Sequence, residues 1–382
     1  MNIAELAKFR GGVSVDTITE LTSASGVTID GMIIKDGKTS SNNIDWQEPT
    51  MFRNRVINGG MVIDQRATAI TSGNNYVVDR WRTNLASGND STQSWARSTD
   101  APAGFSYSLR DTISVGDATI GVTQFSGTNH FIEGYNVADL KFGTASARPV
   151  TISFWVRSTV IGQYTASITN NATTQFCPFN YTINVSNTWE YKTVTLVGCT
   201  DGVWEVTTNR GIVLNFYDAL GSTYAAGTHG VWGTTSASFG CGTPVNGISA
   251  NGNIFAITGV QLEPGTVATP FEFRPYGTEL ALCQRYYWKS QSAPNSNIQP
   301  TGYNRSGTNT IGLGAINFKT TMRISPDVTI TGTWTTINCG QPAITGKSAD
   351  GFHIYVISSA AGLVQAYNAD AALQYIEAKA EL

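Results

Sequence analysis

The amino-acid sequence predicts a mostly β protein with more than one domain. Its 382 residues exceed the length of a typical single domain. Only 13% of the residues are charged, whereas glycine (39) and threonine (49) are abundant. Threonine fits a pleated strand surface and glycine supplies turn conformations. We therefore expect many short strands joined by tight turns, and few helices.

Charge and hydropathy exclude two classes of partner. The formal net charge is −3 and no run of lysine or arginine occurs, so the sequence predicts no nucleic-acid partner. No apolar stretch reaches 18 residues, which predicts no membrane insertion. The first ten residues lack the apolar core of a signal peptide, so we expect a chain that is made in the cytoplasm and stays there until assembly.

The five cysteines are odd in number, widely spaced and without a C-x-x-C pair. We expect buried free thiols, no metal and no cofactor, with a bridge from Cys177 to Cys199 or Cys241 as the alternative. The cysteines are Cys177, Cys199, Cys241, Cys283 and Cys339.

The first 16 residues are expected to dock the protein onto a partner. Ile3, Leu6 and Ala7 share one side of a short predicted helix. A helix of this length is marginal alone, so we expect it to become ordered on another protein.

Residues 17–50 are predicted to form a trimeric stem and linker. The runs Val27–Asp30 and Met32–Lys35 alternate apolar and polar residues between glycine corners. One chain has too few apolar residues here to build a core, but three chains could bury them on a three-fold axis. A lone hairpin is the alternative. The predicted axis residues are Val27, Ile29, Ile33 and Ile34.

Residues 51–276 are predicted to form a β-sandwich, because strand-like segments recur every 8 to 15 residues or so. Alternation places Ile152, Phe154 and Val156 on a core face and Trp155 on the other. Trp81 is also expected in the core, and so is Phe271. The predicted strands lie near residues 105–110, 119–125, 150–156, 165–168, 189–197, 203–205, 212–217 and 254–261.

Two segments of this region resemble a known family. Arg53–Thr83 has a Gly59-Gly60 break and a run, Tyr76–Trp81, that leads into a strand. Phe255–Tyr276 has a strand followed by an E-P-G turn. Together they resemble the first and last strands of the carbohydrate-binding-like jelly roll of bacteriophage tail fibres. The stem pattern G-V-T-I-D-G resembles a stem element of phage structural proteins.

Residues 277–382 are predicted to form a small C-terminal β head. The segment Tyr375–Leu382 alternates to its end, which predicts a paired strand. Together with three earlier segments it resembles the C-terminal head of phage tail fibres. Those segments are Glu279–Trp288, Ile316–Pro326 and Ser348–Phe352.

The resemblance implies a homotrimeric virion protein exposed on the phage surface. Its N-terminus would bind a phage tail or capsid protein, and its β domains would bind host cell-surface glycan as a tail fibre or receptor-binding protein. A capsid decoration or head fibre protein is the runner-up, and a polysaccharide depolymerase is a third reading.

Catalytic motifs are missing from the sequence. It has no G-x-S-x-G and no H-E-x-x-H, and its acidic residues are scattered among turns. A glycosidase needs two carboxyl groups on either side of the bond that it cleaves. We therefore expect a binding protein and not an enzyme.

Candidate glycan contacts lie in two polar, aromatic loops. Sugars are held by aromatic faces and by side chains that bond hydroxyl groups, often on loops. The longest polar loop, residues 290–307, supplies one group, and a glycine-rich loop supplies the other. A polar turn beside a core aromatic is the alternative for each. The candidates are Tyr303, Asn304, Arg305, His229 and Trp232.

Overall fold

In the computed structural model, the chain divides into two compact units, Met1–Arg53 and Asn54–Leu382. The structure describes the backbone of three strands near the N-terminus, and residues 52–86, 90–290, 301–367 and 374–382. The docking segment 1–16 lies outside these residues. The domain boundaries at residues 16, 50 and 276 stay predictions.

Three antiparallel strands form a sheet in the stem region. They are β1 (Val27–Ile29), β2 (Met32–Lys35) and β3 (Lys38–Ser41), in that order across the sheet. Val27 lies opposite Ile34, and Thr28 opposite Ile33. Both predicted runs are thus strands, whereas β3 occupies a segment that was predicted to be linker. Their side chains lie outside the described part, and the trimer stays a prediction.

Eleven strands form the central sandwich. In chain order they are β4 (Tyr76–Val78), β5 (Trp81–Thr83), β6 (Thr92–Ser98), β7 (Ser108–Val115), β8 (Phe125–Glu133), β9 (Val150–Ser158), β10 (Gly162–Thr169), β11 (Phe176–Ile183), β12 (Glu190–Leu196), β13 (Arg210–Leu220) and β14 (Ile254–Pro264). Short 3-10 helices lie at Gly134–Asn136, Ala138–Leu140, Ser222–Tyr224 and Ser236–Ser238.

These strands form two antiparallel sheets. One has the order β11-β10-β13-β8-β5-β4, and the other β12-β9-β14-β7-β6. Trp81 and Phe216 of the first sheet share one buried apolar cluster with Phe154 and Ile257 of the second. The mostly β prediction is therefore confirmed, and the two facing sheets form a sandwich.

Several predictions for the sandwich are confirmed. Trp81 and Phe154 are fully buried, and Trp155 points away from the core that holds Ile152. Two predicted strands are wrong, because residues 119–124 and 203–205 form turns and irregular loops. Their valines do not face a core, since Val122 is 62% exposed and Val203 is 82% exposed, whereas Ile120 and Trp204 still pack against buried clusters.

The C-terminal head begins with helix α1 (Tyr276–Gln284). Its strands are β15 (Tyr287–Lys289), β16 (Thr301–Asn304), β17 (Thr310–Asn317), β18 (Asp327–Thr331), β19 (Thr335–Ile337), β20 (Ala343–Ser348), β21 (Gly351–Ile357), β22 (Gly362–Tyr367) and β23 (Tyr375–Lys379). They form three three-stranded sheets, with the orders β15-β23-β18, β16-β22-β19 and β17-β21-β20. The predicted C-terminal strand is confirmed, because β23 lies between two partners.

Charged and aromatic side chains join the sandwich to the head. Glu133 of the sandwich accepts hydrogen bonds from Arg285 at 2.6 Å and from the Tyr286 hydroxyl at 2.6 Å. Arg80 is buried and forms an ion pair with Glu381. We call this junction the seam. None of the described helices is long and apolar enough to cross a membrane.

All five cysteines carry free thiols. Four are buried, and Cys339 is partly exposed. The expectation of free, mostly buried thiols is therefore confirmed.

Candidate functional site

A row of polar side chains crosses the outer face of the six-stranded sheet. Strand pairing places Arg82 opposite Asn129, Asn129 opposite Asn215, and Asn215 opposite Ser167. Side chains alternate between the two faces of a strand, and the neighbours of these residues point into the core. We call these four residues the polar stripe. Because four neighbouring strands carry it, its side chains have fixed spacing.

Three residues of the stripe are buried although they face away from the core. Asn129 is 4% exposed, Asn215 is 3% exposed and Ser167 is fully buried. Asn215 donates to the Ser167 hydroxyl and accepts from Asn84, both at 3.4 Å. These contacts are long for hydrogen bonds. The stripe is therefore loosely bonded internally.

The side-chain oxygen of Asn129 is buried and accepts no hydrogen bond from the described residues. Leaving such a group unpaired costs about 1–3 kcal/mol. Native structures keep few such groups, and a ligand that supplies a donor is one explanation for them. A ligand hydroxyl would satisfy the oxygen once the side chains that cover it move aside.

Tyr217 borders the stripe. Burial raises the pKa of its hydroxyl, although hydrogen bonds with Ser167 and Asn84 lower it. The group therefore stays protonated and can act as a donor or acceptor at neutral pH. Its ring packs edge-on against Phe125, with ring centroids 6.0 Å apart.

Phe131 flanks the other side of the stripe and lies under two arginines. The Arg210 guanidinium is 4.0 Å from the centre of the Phe131 ring, and that of Arg82 is 5.8 Å away. Burial lowers the pKa of Arg210, and the positive charges of Arg82 and Arg80 lower it further. This end of the stripe is therefore locally positive.

The predicted sandwich contacts lie beside this face and not in the stripe. Their loop lies alongside the edge strand β11 in space. Gly230 of this loop donates to the Pro178 carbonyl of β11 at 2.8 Å. His229 is exposed and accepts a hydrogen bond from the Asn180 amide at 3.1 Å. The Trp232 indole is half-buried and donates to Val197 at 2.9 Å, which gives it a packing role. Their ligand roles stay predictions.

The predicted head contacts divide into two kinds. Tyr303 is 68% exposed, and Arg305 is exposed. Asn304 is 2% exposed, and its amide donates to Ser358 at 2.8 Å and accepts from Asn309 at 3.1 Å. The expectation of an exposed Asn304 is therefore wrong. Residues Thr301–Asn304 also form β16 instead of a loop, because they pair with β22.

An aromatic pocket of about 240 Å³ opens elsewhere on the sandwich, above Gly59 and Gly60. Phe273 is 65% exposed and Tyr276 is 61% exposed at its rim. Phe271 is only partly buried and packs against Phe273 with ring centroids 4.9 Å apart. The prediction of Phe271 as a core residue is therefore wrong, because its ring lines a surface pocket.

A close carboxyl pair lies inside the sandwich. Asp111 of β7 and Asp218 of β13 are 0% and 1% exposed and have no cationic partner among the described residues. Burial raises the pKa of Asp218 to about 6. Burial and the neighbouring Asp218 carboxyl raise the pKa of Asp111. A polysaccharide could not reach this interior pair.

No group of three or more His, Cys, Asp or Glu side chains in the described ranges is placed to hold a metal ion. This finding concerns only those four residue types.

Sequence reasoning missed the polar stripe. Its signal was an asparagine near the middle of each of two long strands, β8 and the largely apolar β13. Such a residue predicts either a polar interior contact or a polar outer face. Only the pairing of strands more than 80 residues apart in sequence shows that the two asparagines are neighbours.

Comparisons with known proteins give weak likenesses. No family model matches the chain, and no curated protein matches it. Among solved structures, the enzymatically active domain of tailspike protein 4 from bacteriophage CBA120 is 15% identical, with a TM-score of 0.30. That match covers 56% of this chain and 21% of the tailspike chain.

Two further matches cover nearly all of the other chain. A putative sugar binding protein from Bacteroides thetaiotaomicron is 10% identical, with a TM-score of 0.31, and the match covers 55% of this chain and 99% of that one. A family 11 carbohydrate-binding module from Clostridium thermocellum is 10% identical, with a TM-score of 0.27, over 53% and 98%. TM-scores this low establish neither a shared fold nor a shared function.

Proposed function

We propose that this chain is a bacteriophage tail fibre or receptor-binding protein that attaches to host surface glycan without cleaving it. In this proposal the protein is a homotrimer exposed on the virion, and its N-terminal segment binds a tail or capsid protein. The sequence resemblances support the virion setting. The outer face of the six-stranded sheet supports glycan binding.

The observation that carries the proposal is the polar stripe. Amide, hydroxyl and guanidinium groups are the side chains that bond sugar hydroxyls, and strands hold them more firmly than loops would. The unpaired oxygen of Asn129 would accept a hydrogen bond from a sugar hydroxyl. Tyr76, which is partly exposed, supplies aromatic surface at the same end of the face.

Binding without hydrolysis is the simpler reading of the acidic residues. Glycoside hydrolysis needs two carboxyl groups that reach the same glycosidic bond. The closely paired aspartates, Asp111 and Asp218, lie in the sandwich interior. The face that we propose for binding carries amides and arginines instead.

The test measures binding of the full-length protein to immobilised capsular polysaccharides and lipopolysaccharides from a panel of bacterial strains. Asn129→Leu removes the unpaired oxygen at similar volume, and we expect it to weaken binding about tenfold or more. Asn171→Leu makes the same change in an exposed turn and should bind like the wild type. Thermal unfolding of both variants shows whether the fold survives.

Several outcomes would contradict the proposal. Equal binding by Asn129→Leu and the wild type would exclude the stripe. Release of reducing ends from a bound polysaccharide would make the protein a depolymerase. Immunogold labelling over the capsid of virions that carry the protein, without binding to any polysaccharide, would favour the decoration protein.

A further inference from the structure

Two arginines at one end of the polar stripe have no acidic partner. Arg82 donates through Nε to the Asn74 carbonyl at 3.1 Å, and Arg210 contacts the Phe131 ring. Neither forms an ion pair with a carboxylate in the described part of the chain. The outer nitrogens of both guanidinium groups are therefore available for a ligand.

Most buried and partly buried arginines of the sandwich and the seam form ion pairs. Their ion pairs are Arg55–Asp139 at 2.6 Å, Arg66–Asp79 at 2.6 Å, Arg285–Glu133 at 2.6 Å, Arg80–Glu381 and Arg157–Asp100. The whole chain has a net charge of −3. Arg110 and Arg323 also lack an ion pair in the described part of the chain, but only Arg82 and Arg210 of these four share one aromatic ring.

The surroundings keep these two charges close together. Both guanidinium groups approach the same Phe131 ring, at 4.0 and 5.8 Å from its centre. Each is partly buried, so water screens their repulsion incompletely. Tyr76 pairs with Arg82 across β4 and β5 and adds a neutral hydroxyl-bearing ring. An anion placed between the guanidinium groups would relieve the repulsion.

We infer that Arg82 and Arg210 bind the anionic group of an acidic sugar, a carboxylate or a phosphate ester, while neighbouring hydroxyls of that glycan reach Asn129. This inference rests on the proposed function and adds the class of ligand. Arginine suits the task because its planar group offers paired donors to carboxylate and phosphate oxygens. The aromatic ring beneath fixes the guanidinium planes and lowers the entropy cost of binding.

The experiment takes the polysaccharides that the wild-type protein binds and removes their charges chemically. One portion has its carboxyl groups reduced to alcohols, and another is dephosphorylated. We expect one treatment to weaken binding about 10- to 100-fold, and that treatment identifies the anion. Binding should also weaken as salt rises from about 50 to 500 mM, because counter-ions compete with the ligand.

The variants tie the charge effect to this site. Arg82→Gln with Arg210→Gln should weaken binding to the untreated polysaccharide by the same factor as the chemical treatment. On the treated polysaccharide, which lacks the anionic group, the double variant and the wild type should bind with the same affinity. Arg110→Gln removes an outward-facing arginine from the five-stranded sheet and should leave both affinities unchanged.

The results separate failure of the inference from failure of the proposed function. If neither treatment changes binding, or if the double variant binds untreated polysaccharide like the wild type, the inference is wrong and glycan attachment stands. If no polysaccharide binds to the wild type, both are wrong. A preserved unfolding temperature in the double variant confirms that lost binding reflects lost contacts.

Discussion

Arg80 and Arg82 are two residues apart in sequence, yet they serve two different regions of the molecule. Arg80 is 1% exposed at the seam, where it pairs with Glu381 and lies 3.6 Å from the centre of the Tyr286 ring. Arg82 is partly exposed on the outer face of the sheet and pairs with no carboxylate. Both are held over an aromatic ring, so the difference between them is the counter-charge.

This difference separates structural charges from available ones. Removing a charge from water is costly, and a buried arginine needs a partner to offset that cost. Burial alone would lower the pKa of Arg80, but Glu381 raises it above its ordinary value. The charges of the seam therefore join the sandwich to the head, whereas the outer face has two unpaired charges that could bind the ligand that we propose.

The largest expected effect comes from breaking the pairing at the seam. Glu381→Ala leaves Arg80 and Arg66 without their shared carboxylate. We expect the free energy of unfolding to fall by about 3–5 kcal/mol, because one buried charge loses its partner. Chemical denaturation measures the change.

A surface ion pair provides the control for this prediction. Lys347 and Asp327 lie 3.7 Å apart with exposed side chains, so Asp327→Ala should cost at most about 1 kcal/mol. If Glu381→Ala costs no more than this control, the seam is not held by its charges. The contrast between Arg80 and Arg82 would then lose its meaning.

A second test concerns the buried carboxyl groups of Asp111 and Asp218, which have no cationic partner among the described residues. Asp218 has a pKa raised to about 6, above the ordinary value near 3.9, because of its burial. A raised pKa stabilises the fold below the ordinary pKa, and this contribution is lost as pH rises through about 6. The protein should therefore lose stability between about pH 4 and pH 8, opposite to an ion-paired acid.

Asp218→Asn should reduce this pH dependence, because the amide has no proton to lose. We expect the variant to gain about 1–3 kcal/mol relative to the wild type between pH 4 and pH 8, measured by denaturation at each pH. Asp79 and Asp111 keep part of the slope in both proteins, because burial raises the pKa of each of them as well. Asp201→Asn, at an exposed turn, should follow the wild type. Parallel profiles for Asp218→Asn and the wild type would exclude titration of the aspartate pair in this range.

Much of the sandwich could be predicted from local patterns. The segment that forms β9 alternates, and its alternation alone placed Phe154 and Ile152 in the core. Residues 203–205 also looked like a strand, but Val203 faces solvent. Short alternating runs do not reveal whether a second sheet covers them, and this depends on distant residues.

The candidate site was harder to predict because it is defined by pairing between distant segments. Asn129 and Asn215 become neighbours only through the register of β8 and β13. Likewise, the sequence shows that Arg80 and Arg82 are both cations, but not that Glu381 lies 301 residues away beside one of them. The sequence favoured polar loops as candidate sites. Asn304, however, is buried in the head, where its amide donates to Ser358 and to the Ala360 carbonyl.

The smallest expected effect on stability comes from replacing Arg210, which has no carboxylate partner among the described residues. Burial and the charges of Arg82 and Arg80 lower the pKa of Arg210, so the folded protein disfavours its charged form. Arg210→Gln should therefore leave the free energy of unfolding within about 0.5 kcal/mol of the wild type, or raise it slightly. Arg80→Gln makes the same chemical change at the seam and provides the control. It leaves Glu381 with Arg66 as its one remaining ion-pair partner among the described residues, so we expect it to lower the free energy of unfolding strongly. Chemical denaturation at low and high salt measures both variants, and the small gain for Arg210→Gln should vanish at high salt because screening already weakens the repulsion that it relieves. A large loss of stability in Arg210→Gln would show that this arginine stabilises the fold. Its lack of a carboxylate partner would then no longer indicate a role in ligand binding.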